Sequence, residues 1–450
     1  MVSPFLCTVR RSPRATPGSD IIKRTESAWW SISVAGQWLV PDGQDVVAAS
    51  LIMSGWGIVY DHRNSPATHS TFRYDDGRHH SGTVDLLGGH DCNTGGCPWT
   101  RDPATYESRI ENVDQEGVLA NDSITRATMI DGFTVIGQAG DPGNGNRIVT
   151  ITANLGSPTI TNNRILGAQV TSGCNWCGSD AIRVVGPANT AEGALIQNNE
   201  IRGGDSDAVS VGIHVESYSN PAVVEIVDNW IKGGLGNWTR CIDGFGAATG
   251  TLIARNEMFA GTAHTNGTSF AMIVSGDMTI DSNWINHDPV ETGSCPQAAD
   301  WFFCGGIEAE GLTADITNNV IYGLDAPNRK SAGVFISEGE VPLGVITMNG
   351  NTVFGAQSGN ITFAVGCRIN IGMNAQVGNF RNNILMGGGG SAGYGFYEDD
   401  QQNGRTCEPT EYEYNAIYGG TAAHRQWTAA GVANVLPTVA LVDLLPYAAN

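Results

Sequence analysis

The sequence predicts an all-β fold, a chain wound as a parallel β-solenoid (a single-stranded β-helix) of about ten rungs. Three observations predict it. A short phrase of the form aliphatic, any, Asn or Asp, Asn, any, aliphatic, any, Gly recurs at a near-constant period. A second short, glycine-bounded strand recurs between its copies. The composition, 59 Gly with only 15% charged residues in 450, implies a regular supply of tight turns and excludes a coiled coil or a disordered chain.

The phrase reads ITNNRILG over Ile160–Gly167, IQNNEIRG over Ile196–Gly203, VDNWIKG over Val227–Gly233 and IARNEMFAG from Ile253. It continues as IDSNWIN from Ile280, ITNNVIYG from Ile316, MNGNTVFG from Met348, FRNNILMG from Phe380 and YNAIYG from Tyr414, with a degenerate copy, MIDGFTVIG, in which Gly132 takes the Asn place. Anchored there, the copies fall at Gly132, Asn163, Asn199, Asn229, Asn256, Asn283, Asn319, Asn351, Asn383 and Asn415, a mean period of (415−132)/9, or about 31. Asn tolerates the left-handed conformation of a sharp corner, and Asn side chains stacked on successive rungs can bond in a ladder. These residues are therefore expected to be structural.

Between the anchors lie DAIRV at Asp180, GIHVE at Gly212, CIDGF at Cys241, AMIVS at Ala271, GIEAE at Gly306, GVFIS at Gly333, FAVGC at Phe363 and GFYED at Gly395. They are short and alternating, as strands are. No amphipathic helix separates them, which excludes leucine-rich and βαβ arrays, and nine or ten blades exceed the usual propeller. A solenoid with rungs roughly 4.8 Å apart remains.

The NNxIxG rungs resemble right-handed parallel β-helix repeat proteins of the pectate-lyase-like superfold. The segment Gly82–Ile110, leading into IDGFTVIG, is similar to secreted multi-rung repeat proteins of environmental bacteria. The resemblance covers residues 82–420 and implies a right-handed coil. It carries no single activity, because the superfold hosts lyases, hydrolases, adhesins and inert surface proteins.

Three regions follow. Residues 1–80 are an atypical N-terminal segment in which Asp45–Ser54 reads as a capping helix, with Asp45 at the N-cap. Residues 81–420 are the β-helix, and residues 421–450 its C-terminal cap or a truncated end. Ten cysteines include the close pairs 92/97, 174/177 and 295/304 in loop-like sequence, which favours local disulfides and an oxidising, extracellular or cell-surface location. A CxxC at Cys174 and Cys177 lacks the βαβ context of a redox motif and the second CxxC of a zinc site. Met1–Leu6 is too short for a signal-peptide core, and Arg10, Arg11 and Arg14 follow it. No stretch is long and apolar enough for a membrane span. The net charge of −21 argues against nucleic acid or anionic membrane as a partner.

Aligning the second strand by its inward residues (Ile182, Ile213, Ile242, Met272, Ile307, Val334, Phe363, Phe396) gives an outward column of Arg183, His214, Asp243, Ile273, Glu308, Phe335, Ala364 and Tyr397. Two residues on, a second column includes Glu216, Phe245, Ser275, Glu310, Ser337 and Asp399. Arg183, His214, Glu216 and Asp243 form the candidate catalytic cluster, on three successive rungs. Glu308 and Glu310, extended by Glu338 and Glu340, form a second. Asp243 and Glu216, as diagonal neighbours, suit an inverting glycosidase pair. Alternatively, Arg183 or His214 removes a proton alpha to a uronate carboxylate, with Ca²⁺ held by Asp243 and Glu216. No cofactor is evident otherwise.

The motifs of the superfold's enzymes add nothing. Asp399-Asp400 lacks the Gly-His-Gly and Arg-x-Lys partners of a polygalacturonase, and Trp284-Ile285-Asn286-His287 falls on the repeat phrase. Trp230 and Trp284 share one repeat position on the outer wall. The function expected is therefore polysaccharide binding or processing on the solenoid face; the alternative is a non-catalytic surface, structural or adhesin-like protein. Solvated charges on an outer face are often only ion pairs.

Overall fold

A computed structural model describes most of residues 118–437, with short strands between 37 and 113 and at 448–449; gaps include 172–176, 187–191, 217–221, 296–302, 338–344, 369–375, 399–406 and 428–432. The fold is an all-β parallel solenoid of about eight turns, without helix among the described residues. This is fewer than the expected ten rungs.

Each turn supplies three strands, as in Arg147–Asn154, Thr159–Thr161 and Arg164–Leu166. Each of these strands pairs in parallel with its counterparts one turn before and after, giving three stacks, while the short strands Gly57–Ile58, Thr100–Arg101 and Ala433–Leu436 pair antiparallel. In the first stack the inward column runs Ile182, Ile213, Ile242, Met272, Ile307, Val334, Val365, Phe396 and His424. Ile160, Ile196 and Ile226 do the same in the second stack, and Ile165, Ile201 and Ile231 in the third. All these aliphatics are buried in one continuous core. Burial of each such side chain contributes about 1.5–3 kcal/mol, which explains the strict aliphatic period.

The corner between second and third strands divides its work between two residues. Asn163, Asn199, Asn229, Asn256, Asn283, Asn319, Asn351, Asn383 and Asn415 form the expected ladder. Each Asn Nδ2 donates to the next Asn Oδ1 at 2.9–3.1 Å. The left-handed conformation, however, belongs to the residue before each: Asn162, Asn198, Asp228, Arg255, Ser282, Asn318, Asn382 and Tyr414 have φ of 53–58°. The degenerate copy shifts accordingly. Gly132, at φ 79°, takes the corner, and Phe133 takes the ladder place, where its N–H donates to Asn163 Oδ1 at 3.0 Å.

The glycines that close the phrase serve a different end from backbone freedom. A Cβ at Gly233 would lie 2.5 Å from the Gly261 nitrogen of the next turn, so close stacking requires the missing side chain.

The capping helix expected over Asp45–Ser54 is replaced by strands Asp45–Val47 and Leu51–Ser54. They pair in parallel with 109–111 and 118–120 and so continue the third and first stacks. A paired strand satisfies the exposed N–H and C=O row of a sheet edge, which a helix laid across it does not.

Candidate functional site

The first stack departs from simple alternation at one place. Ala181 and Ile182 both enter the core, as do Ala271 and Met272. Their flanking residues, Asp180 and Arg183 or Phe270 and Ile273, therefore lie together on the outer side. The column at this break is small: Ala181, Gly212, Cys241, Ala271, Gly306, Gly333, Ala364 and Gly395 each sit between two paired positions. Ala364 thus belongs to the break and is buried. The expected outward column holds through Phe335 and then runs through Gly366 to Tyr397. Likewise Val365, not Phe363, is the inward residue of that rung.

This break brings residues three apart to face one another, and it assembles the ionic cluster. Arg183, His214 and Asp243 stand in register on consecutive turns, with Glu216 on the strand of His214. They do not converge on one point, because each has its own partner. Arg183 Nε donates to Glu216 Oε2 at 2.6 Å. Asp243 Oδ2 accepts from Arg240 Nη1. His214 Nδ1 lies 3.0 Å from Asp180 Oδ2, and Arg147 Nη1 donates to Asp180 Oδ1 at 2.7 Å.

Three of these partners, Arg147, Asp180 and Arg240, were not expected from the sequence. The readable signal was the small-residue column, which marks where alternation fails. Asp180, Asp243 and His214 are almost wholly buried, at 0%, 1% and 5% exposure, although they lie outside the solenoid core. Burial opposes ionisation of Asp180, but the Arg147 guanidinium and His214 outweigh it and hold the carboxyl down at about 2. His214 Nδ1 faces both Asp180 Oδ2 at 3.0 Å, to which it donates when protonated, and Arg147 Nη1 at 3.1 Å, from which it accepts when it is not; its Nε2 has no hydrogen-bond partner among the described residues. Asp243 Oδ1 is buried and unpartnered.

Glu308 stands two turns beyond Asp243 in the same column. Burial, and then the Glu310 carboxylate nearby, push its carboxyl up to about 8, so it holds a proton at neutral pH. Ser337 Oγ lies 3.4 Å from Glu308 Oε1. Glu338, Glu340 and Asp399 lie outside the described residues.

Farther along, the same face becomes aromatic. Phe270, Ile273, Phe303, Phe335, Phe363 and Tyr397 form a hydrophobic cluster separate from the solenoid core. Phe303 stacks on Phe335 at 4.1 Å and Phe363 on Tyr397 at 5.0 Å. These rings are consumed by one another. On the third stack, Trp230 packs under the Arg202 guanidinium at 4.5 Å, whereas Trp284 is 55% exposed.

Among the described residues, no group of three or more His, Cys, Asp or Glu side chains is placed to hold a metal ion. Asp243 and Glu216 each bond an arginine instead, so this pair does not fit a calcium site.

Two disulfides, Cys295–Cys304 and Cys367–Cys407, point to an oxidising environment. The first is one of the expected close pairs. Cys177 is also disulfide-bonded, while Cys92, Cys97 and Cys174 lie outside the described residues. Cys241 is a free, buried thiol at the break column. No family model, curated protein or solved structure matches this chain.

Proposed function

We propose that the protein is a secreted or cell-surface β-helix of the right-handed, pectate-lyase-like kind that binds or processes polysaccharide on the outer face of its first stack. Handedness rests on the strong preference, about 98%, of parallel crossover connections for the right-handed sense. The observation that carries the function is the Arg147–Asp180–His214 arrangement beside Arg183 and Asp243. Burying ionised groups costs stability that pairing only partly returns, and buried clusters of this kind are candidates for functional sites.

In this reading Asp180 orients the His214 ring and leaves Nε2 as the base. Arg147, Arg183 and Arg240 are balanced by Asp180, Glu216 and Asp243, which leaves this patch locally neutral on a chain of net charge −21. A second reading, a non-catalytic surface or structural protein, is favoured by the pairing of Arg183, Glu216 and Asp243 within the chain.

Incubation with acidic and neutral polysaccharides, with and without Ca²⁺, separates the two. Ultraviolet absorbance reports unsaturated lyase products, and a reducing-end assay reports hydrolysis. Turnover that is lost in His214→Ala and Asp243→Ala is expected. No turnover of any glycan, or undiminished turnover in both variants, overturns the catalytic reading.

A further inference from the structure

A buried cation outside the ionic cluster has no counter-ion among the described residues. Arg329 is 3% exposed, and its guanidinium bonds no carboxylate among the described residues. Its Nε and Nη2 are buried without partners. Nη1 donates to the Gly267 carbonyl and rests 3.4 Å from Cys295 Sγ and 3.5 Å from Cys304 Sγ, the two atoms of one disulfide. Burial alone lowers its proton affinity, to about 10, which still leaves it charged at neutral pH. An unpaired buried charge costs several kcal/mol. The two free nitrogens are closed to solvent, so no dissolved anion reaches them as the protein stands. Among the described residues, the groups in contact that can become negative are the two sulfurs.

We propose that Arg329 makes Cys295–Cys304 a thiol-responsive disulfide, because reduction places a thiolate against the buried guanidinium that already touches both sulfurs. A small thiol, as its thiolate, attacks one sulfur and forms a mixed disulfide, and the Cys295–Cys304 bond breaks. The other sulfur leaves with the electron pair as a thiolate held against Arg329. A second thiol then displaces the first, releasing the oxidised small-molecule disulfide and the second cysteine. A cation beside the leaving sulfur favours both steps, since leaving-group thiolates of low proton affinity depart faster and rest more stably. Cys367–Cys407 serves as the internal comparison. Cys304 lies on the same strand as Glu308, so reduction frees the start of a strand that carries the ionic face.

The test is equilibration of the native full chain in glutathione buffers of graded reduced-to-oxidised ratio, alkylation, and peptide mass mapping of each cysteine. Cys295 and Cys304 are expected to become reduced at a less reducing ratio than Cys367 and Cys407. Arg329→Gln is expected to make reduction of the first pair about tenfold less favourable, about 30 mV, while Arg329→Lys keeps most of the effect. If Cys295–Cys304 in the unaltered protein resists reduction as strongly as Cys367–Cys407, the proposal fails, whether or not the variants fold. It also fails if Arg329→Gln leaves the midpoint of the first pair in place.

Discussion

Replacing Asn283 by Ala tests whether the ladder holds the turns together. Asn283 is fully buried at mid-solenoid. Its Oδ1 accepts from the Asn256 backbone N at 2.9 Å and from Asn256 Nδ2 at 3.1 Å. Its Nδ2 donates to the Ile253 carbonyl at 2.9 Å and to Asn319 Oδ1 at 2.9 Å. Alanine leaves at least the Asn256 N–H and the Ile253 carbonyl without these partners, at about 1–3 kcal/mol each, so the loss is roughly 2–6 kcal/mol. The control is Tyr414→Gly at a corner. Tyr414 is 68% exposed with φ 55°, so glycine removes a left-handed penalty of about 1–2 kcal/mol and adds about 0.5–1 kcal/mol of chain entropy. The net effect is neutral to about 1.5 kcal/mol stabilising. Urea unfolding followed by far-ultraviolet circular dichroism gives both values from midpoint and slope. A loss below about 1 kcal/mol for Asn283→Ala, or an equal loss for Tyr414→Gly, would refute the division of labour between ladder and corner.

The two shifted carboxyls give opposite pH dependences. Asp180, lowered from 3.8 to about 2, contributes about 2 kcal/mol in its ionised form, fully present above pH ~4 and lost as the pH falls through about 2. Glu308, raised from 4.5 to about 8, favours the folded state while protonated, and that advantage declines as the pH rises from ~4.5 to about 8. Unfolding midpoints across this range should lose the acid-side slope in Asp180→Asn and the upper slope in Glu308→Gln. Profiles parallel to the parent's count against these assignments. The Cys241 thiol, which burial pushes up to about 12, should resist iodoacetamide in the folded protein and react only in denaturant; peptide mapping of the native protein decides this.

Much of the fold was legible because a solenoid writes its period directly into the chain. The nine Asn ladder positions, the aliphatic columns and the first-stack register as far as Phe335 follow from spacing alone, whereas the degenerate copy at Gly132 is displaced by one residue. The roles within the corner were less legible, since doublets such as Asn162-Asn163 place one residue type at both positions. Arg255-Asn256 and Ser282-Asn283 show that the second residue is the ladder member. The candidate cluster was half legible. Arg183, His214 and Asp243 follow from period-two alternation, whereas Asp180 and Arg240 face them only because two successive residues turn inward. Arg147 contacts His214 from two turns away, a relation that no local pattern records.

The ladder also sets an order in time. Its bonds join residues 27 to 36 apart in sequence, never more than one turn. Synthesis at about 5–20 residues per second delivers a turn of about 31 residues every 2–6 s. Each turn can therefore close on its predecessor before the following one exists. The growing edge templates what arrives next, and loop-closure entropy stays the same for every turn, however long the finished stack becomes.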